Sequence, residues 1–524
     1  MTALPESVDV LVVGYGPVGA AITALLGRHG VRTLVVDKAP DILLAPRAIA
    51  LDNEALRILQ MAGLSEDAFE KVAIPQVRML CPDLGEFGRL NTSGSIDGHP
   101  KLVTFYQPDL ERALRRQAQG HACVSAATAT ELVEFAAEGD AVRATLQRAD
   151  GTRAVVRARY LVGADGAGSR VRKAIGQEFD GKTYAEDWLI VDAQDVPGAI
   201  DHVEFLCDSR RPTPHMIAPG NRVRWEFMLK PGETREEMES DATVARLLAP
   251  WSNAGAIKVE RKAVYRFHAR SCDRYSKDRV FLVGDAAHIT PPFAGQGLVA
   301  GLRDAANLAW KLAWVVQGRA APALLASYDE ERRPHAAKMI AVAQLMGRLI
   351  MPSNRLKAIL IHGTMALLRS VPPLRRYLDD FGLKPPNAFA SGWFVRGRAR
   401  LRRGGQIGQG LVRSPTGAVG LSDDALGAGL TLIGFGLPAD RGLSDATRAL
   451  WRERGGSILQ FCQRGEAVHR GAEAFEDLDN RLVPGSAPYG WCAVVRPDAT
   501  IVHDGPVAEA ERIARESLAL LGNP

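Results

Sequence analysis

Apolar residues are densest near the N-terminus. Val8 to Val13 is an almost unbroken β-branched run, the mark of a strand buried on both faces. Pro17 to about His29 is rich in small residues and predicts a helix that Gly30 can end. Val31–Val36 predicts a second buried strand, closed by Asp37. Asp52 or Asn53 can cap a helix ending at Gly63. Residues 72–106 are short apolar pieces broken by Gly and Pro, read as strands and loops. A helix begins at Gln107, with Pro108 in its first turn. Ala141–Gln147 and Arg153–Val162 predict a hairpin around Asp150-Gly151.

Residues 185–270 change texture and become strand-rich. Arg222 to Leu229 alternates strictly, with Val223, Trp225, Phe227 and Leu229 on one face and Arg222, Arg224, Glu226 and Met228 on the other. That pattern predicts an antiparallel sheet with one packed face. Val280–Val283 is again a buried strand, running into Gly284-Asp285, a Pro/Gly loop and a helix from about Gly297. Amphipathic helices over 335–371, split near Pro352, are expected to pack on the core or on a second subunit, which would allow a homodimer. Strands near Leu430–Phe435, Ser457–Cys462 and Trp491–Val495 follow. A last helix is expected from Pro506 to about Leu521, capped by Asp504.

Composition narrows the class. The 524 residues suffice for about three domains, and 46% hydrophobic with 24% charged residues is ordinary for a globular protein. A net charge of +5 without a dense Lys/Arg run argues against a nucleic-acid partner. No apolar run reaches membrane-spanning length, and the glycine-broken N-terminal stretch lacks a cationic start, so neither span nor signal peptide is expected. The six cysteines form no C-x-x-C and no metal spacing, so no metal is expected and the thiols read as reduced, in a cytoplasmic protein.

Candidate chemistry begins at Gly14, Gly16 and Gly19, spaced G-x-G-x-x-G between strand and helix. Gly14 allows the tight turn, Gly16 close approach of a pyrophosphate, and Gly19 close helix–sheet packing. The helix N-terminus supplies N–H groups and positive potential, and Asp37 can accept from a ribose 2′-OH. Arg47, in the next loop, could face a phosphate or a flavin ring. GGQIGQG at 404–410 lacks G-K-[S/T] and reads as a turn. No second dinucleotide fingerprint appears.

Three motifs occur in order: the glycines at 14–19, Asp165-Gly166 within 163–172, and Gly284-Asp285 within 279–288. With PRAIALDNEALRILQ, GDAAHITP, GLRDAANLAWKLA and the tail AVVRPD, the chain resembles the group A flavoprotein aromatic hydroxylases of the para-hydroxybenzoate hydroxylase fold. The resemblance implies an α/β fold: a Rossmann-like FAD-binding domain (1–184 and 271–384, the latter with interface helices), interrupted by a β-sheet substrate domain (185–270). A thioredoxin-like domain would follow at 385–524. It implies FAD held by Gly14, Gly16, Pro17, Gly19, Asp37, Lys38, Arg47, Gln107, Asp165, Gly166, Gly284, Asp285, Pro292, Gly295, Gly297, Leu298 and Val299. Val299 stands where the family usually has Asn, which removes a side-chain donor near the flavin pyrimidine.

The implied reaction has two halves. NADH or NADPH reduces FAD, then O₂ adds at the flavin C4a to give a hydroperoxide that ortho-hydroxylates a small phenolic acid to a catechol. Pro292, His268 and Tyr265 are the candidate catalytic residues. His268 and Tyr265 lie on opposite faces of one strand, so at most one reaches the pocket. Arg211, Arg224, Trp225, Phe227, Pro291 and Phe293 are the candidate substrate contacts, an arginine being suited to a carboxylate. Three readings compete: the same chemistry on a polycyclic or polyketide-like aromatic, a flavin-free NAD-dependent dehydrogenase, and a non-catalytic dinucleotide-binding chaperone.

Overall fold

The computed structural model describes residues 4–44, 46–251, 257–380, 384–397, 399–466 and 473–522. The first apolar run becomes the strand Ser7–Val13, buried from Val8 onward. It pairs in parallel with Thr33–Val36 on one side and Arg153–Gly163 on the other. Across this sheet the strands run Val124–Ala127, Thr33–Val36, Ser7–Val13, Arg153–Gly163, Ala141–Arg148 and Thr130–Glu138. After Gly163 the chain leaves the sheet. It returns as Val280–Leu282, parallel to the end of Arg153–Gly163. Helices Pro17–Arg28 and Gly297–Val316 share one core with the sheet, and the turns at Gly14 and Gly284 both pack against the start of Pro17–Arg28.

A second sheet runs His288–Ile289, Lys258–Cys272, Phe179–Gln194, Arg222–Met228, Thr213–Ala218, Val203–Leu206, Gln76–Cys81 and Gly85–Asn91. Its last two strands come from the N-terminal stretch, so the sheet is not built from 185–270 alone. The expectation of one packed face is corrected here. In Arg222–Met228 the five residues from Val223 to Phe227 are all buried. Val223, Trp225 and Phe227 pack with Val244 and Leu248 of the helix Asp241–Leu248. The polar side, Arg224 and Glu226, is buried as well, Arg224 against the Pro46 and Arg47 carbonyls of the N-terminal part.

The third sheet runs Val419–Leu421, Leu411–Arg413, Glu473–Asp477, Ser457–Cys462, Thr431–Phe435, Trp491–Val495 and Ile501–Pro506. Asp504 is no helix cap. It lies within the last strand, where its carboxylate accepts from Leu401 N, Arg403 Nε and Trp491 Nε1, and the helix starts only at Ala510. This region is bonded firmly to the rest. Glu331 accepts from Lys311, Asn307, Arg496 and the Trp393 N–H, all buried. Arg57 holds Asp423 in a bidentate pair. No helix among the described residues is long and apolar enough to cross a membrane.

Candidate active site

The three fingerprint glycines have distinct surroundings. Gly14 has φ +103°, and a Cβ there would lie 2.3 Å from the Ala164 carbonyl oxygen. A Cβ on Gly19 would lie 1.9 Å from the Gly14 carbonyl oxygen. Both are needed for strand, turn and helix to close on one another. Gly16 differs, for a Cβ there would meet no atom within 4 Å. It is the N-cap of Pro17–Arg28, has no side chain capping that end, and Pro17 begins the helix. The first-turn N–H groups therefore point to open space with positive potential, a seat for an anion. Asp37 sits at the neighbouring strand end. Its two carboxylate oxygens accept from Tyr15 N at 2.6 Å and Ala39 N at 2.8 Å, which fixes the side chain, while Lys38 is exposed.

Gln107 holds the next loop. Its Oε1 accepts from both Arg47 N and Ala48 N at 2.9 Å, so this side-chain oxygen positions the Arg47 loop. Asp165 is engaged locally, accepting from Ser169 Oγ and from the N–H groups of Arg170 and Val171, while Gly166 takes φ +75°. The Gly284-Asp285 turn is pinned by a residue that periodicity did not single out. Asp304 accepts from Gly284 N at 3.0 Å, His288 Nε2 at 2.7 Å and Arg332 Nε at 2.9 Å. Burial alone would raise the Asp304 carboxyl; His288 and Arg332 outweigh it and hold it below its ordinary range. Asp285 itself is pushed up by burial, opposed by His288 and Arg47. A second buried group fixes the far end of the loop. Asp52 accepts from Gln296, Arg303 and Lys384, tying the start of the helix Asn53–Met61 to the start of Gly297–Val316.

The loop between them, Pro291 to Gly297, lies over the second sheet. Phe293 is buried, its ring centroid 5.8 Å from those of both Trp188 and Phe267 and 5.7 Å from that of Tyr184. Gly295 takes φ +62° and lies beside Ala50. Leu298 and Val299 open the helix, Val299 wholly buried in the apolar core.

Several sequence-based substrate candidates lie elsewhere. Trp225 and Phe227 point to the sheet's other face, as alternation from Glu226 demands. Trp188, Phe267 and Tyr184 are the aromatics that meet Phe293, and they went unnoticed because no strict alternation marks their strands. Arg211 is paired with Glu233 at 2.5 Å and with the Met228 carbonyl, so it is not a free cation. Arg224 is buried against Asp192 at 2.7 Å and donates to the Pro46 and Arg47 carbonyls. His268 bonds Thr183 on the face away from Phe293. Tyr265 is on the Phe293 side, with its hydroxyl bonded to Arg261.

Comparison with known proteins settles the class. Residues 7–343 match the FAD binding domain family, and residues 404–520 the HcaD C-terminal domain family. The chain is 35% identical over 506 residues to a 3-(3-hydroxy-phenyl)propionate/3-hydroxycinnamic acid hydroxylase of Escherichia coli strain K12, covering 95% of this chain and 91% of that protein. This chain is an FAD-dependent monooxygenase.

A hydroxylase of the same description from Burkholderia vietnamiensis is also 35% identical to the monooxygenase, over 94% of this chain and 92% of the other. Among solved structures, the flavin-dependent monooxygenase PieE, in complex with FAD and substrate, superposes with TM-score 0.81 at 20% identity over both full chains. Aklavinone-11 hydroxylase, in complex with FAD and aklavinone, gives TM-score 0.76 at 24% identity over 99% of this chain and all of that one. These two likenesses establish the fold. The cradle suits the cofactor: Gly16 leaves open the volume a side chain would fill, above an uncapped helix end. Asp37 is a fixed acceptor at the neighbouring strand end, and the Asp304-pinned turn packs on Val18 of the same helix start.

Proposed function

We propose that this monooxygenase uses NADH or NADPH and O₂ to ortho-hydroxylate a small phenolic acid, such as 3-(3-hydroxyphenyl)propionate, to a catechol. The observation that carries this reading is the 35% identity to hydroxylases of that description along nearly the whole chain. FAD would sit with its pyrophosphate at Gly16 and Pro17, a ribose at Asp37, and its ribitol end at Asp285. Bound FAD, once reduced, supplies the activation of O₂; the protein supplies orientation and shelter from water. Phe293 anchors the Pro291–Gly297 loop on Trp188 and Phe267, and in this reading the loop and the sheet would be the two walls between which the reacting ring is oriented. Val299 offers no side-chain donor, so a backbone N–H of the helix start would take the place of the usual Asn.

In this reading residues 1–184 and 271–384 form the FAD domain and residues 385–524 a thioredoxin-like domain without thiol chemistry. Burial pushes the Cys462 and Cys492 thiols up to about 11 and about 12, so neither is a thiolate at neutral pH. Purified protein should be yellow. A panel of phenols assayed for NAD(P)H oxidation, peroxide yield and catechol tests the reading. Stimulation by 3-(3-hydroxyphenyl)propionate with a stoichiometric catechol supports it. Stimulation only by polycyclic phenols would move the substrate class while leaving the chemistry, and no stimulation by any phenol would overturn it.

A further inference from the structure

Glu226 occupies an unusual place. It lies on the strand Arg222–Met228, on the face turned toward the FAD-type domain, and is only 8% exposed. No hydrogen bond or ion pair from the described residues reaches its carboxyl. Its charged neighbours are paired, for Arg224 and Arg261 both hold Asp192.

The sheet register shows what surrounds it. One row toward the strand's N-terminus, Arg224 lies opposite Asp192, and Asp192 opposite Arg261. That row is covered by the Pro46–Arg47 segment, because Arg224 donates to both of its carbonyls and Arg261 to that of Pro46. One row the other way, Met228 lies opposite Trp188, and Trp188 opposite Tyr265. That row is covered by Phe293 of the loop. Glu226 sits between, opposite Ile190, with Ala263 beyond. It therefore lies beneath the seam where the Arg47–Ala50 segment meets the Pro291–Gly295 loop, which approach each other at Ala50 and Gly295. Both segments carry residues proposed to touch the flavin.

We propose that Glu226 faces the bound phenol, accepts a hydrogen bond from its hydroxyl and takes its proton. The inference rests on the functional reading above and adds a catalytic residue to it. The O–H bond of the phenol breaks and a new O–H bond forms on the carboxylate. The electron pair stays on the phenolate and is delocalised to the ring carbon that is oxidised. Two guanidiniums facing the single Asp192 leave positive charge beside the phenolate. Burial raises the Glu226 carboxyl to about 7, with Arg224 opposing and Asp192 adding to the rise. A base near the working pH is the efficient one. The other groups facing it are Arg261 and Tyr265 of Lys258–Cys272; the neighbouring strand Thr213–Ala218 presents Pro214 and Met216 on this face and no charge.

The test uses the FAD-loaded enzyme with 3-(3-hydroxyphenyl)propionate and its methyl ether, which has no proton to give. Binding is read as the change in flavin absorbance from pH 5.5 to 9. Wild type should bind the phenol with an inflection near pH 7 and the ether without one. Glu226→Gln should retain FAD and bind the ether unchanged, lose the inflection, and form catechol about a hundredfold more slowly. A Gln variant with wild-type pH profile and rate would overturn the proposal. Should that variant lose FAD or fold poorly, the wild-type comparison decides alone: equal pH dependence for phenol and ether overturns it. If no phenol perturbs or turns over wild type, the functional reading falls and this proposal with it, whereas normal wild-type turnover with an unaltered Gln variant removes only Glu226.

Discussion

Gly16 and Gly19 stand three positions apart and answer to different constraints. Gly19→Ala puts a methyl group 1.9 Å from the Gly14 carbonyl oxygen, so it should yield little folded protein. Gly16→Ala meets no protein atom, so its melting temperature without cofactor should stay close to wild type. It should weaken FAD binding by about tenfold or more, roughly 1.4 kcal/mol, measured by flavin retention on dilution. Similar flavin retention in both would refute the seat assigned to the pyrophosphate. A pH prediction belongs to Glu226. Its folded-state pKa is raised, so its contribution to stability is full below the unfolded value near 4.5 and is lost as pH rises through about 7. Glu226→Gln should therefore melt a few degrees higher than wild type at pH 8 and no higher at pH 4.5. The fingerprint glycines were legible because their spacing between strand and helix marks the turn, whatever each one separately answers to. Glu226, Asp304 and Trp188 were not, because their importance comes from partners distant in the chain.

At the scale of elements, the strand and helix limits follow periodicity closely. Val8–Val13 was expected and Ser7–Val13 is found; a helix from about Gly297 was expected and Gly297–Val316 is found. Two elements escaped that logic. Arg222–Met228 alternates as a half-exposed strand does, yet the polar side is buried under another domain, where ion pairs replace water. In Gly297–Val316 an apolar stripe was visible, but Arg303, Asp304, Asn307 and Lys311 are buried too. Charged residues in a helix otherwise made of small and apolar ones were the available signal. Asp304→Asn tests the element-level role. It leaves Arg332 buried without its charge partner, which should destabilise the protein by about 3–5 kcal/mol. Chemical denaturation and flavin content should fall together, since the same carboxylate pins the Gly284 turn.

The whole molecule is joined through Glu331. Arg496 and Lys311 hold this carboxyl down at about 2 although burial, the larger single influence, pushes it up. A depressed acid contributes stability above its unfolded pKa of about 4.5, and that contribution is lost as pH falls toward 2. Arg496→Ala removes the bond that crosses from the C-terminal sheet and leaves Glu331 and Asp498 short of a partner. It should cost about 3–5 kcal/mol and separate the unfolding of residues 404–520 from the rest, seen as two calorimetric transitions where wild type shows one. A single unchanged transition would show that the junction's apolar contacts, Trp310, Trp314 and Trp393 among them, suffice.

The return of the chain at Val280–Leu282 sets an order on synthesis. Until that strand leaves the ribosome, Arg153–Gly163 has an unpaired edge over Leu161–Gly163, and the Asp285 side of the cradle does not exist. The intervening sheet has to be made first, and it cannot bury its Trp188 and Phe267 row until the same returning segment delivers Phe293. Nascent chains halted before this point would expose an apolar strand edge and carry the Gly16 and Asp37 side of the cradle without the Asp285 side. The full seat of the cofactor is thus completed only late in synthesis, once Val280–Leu282 has paired and carried the Gly284-Asp285 turn to the sheet.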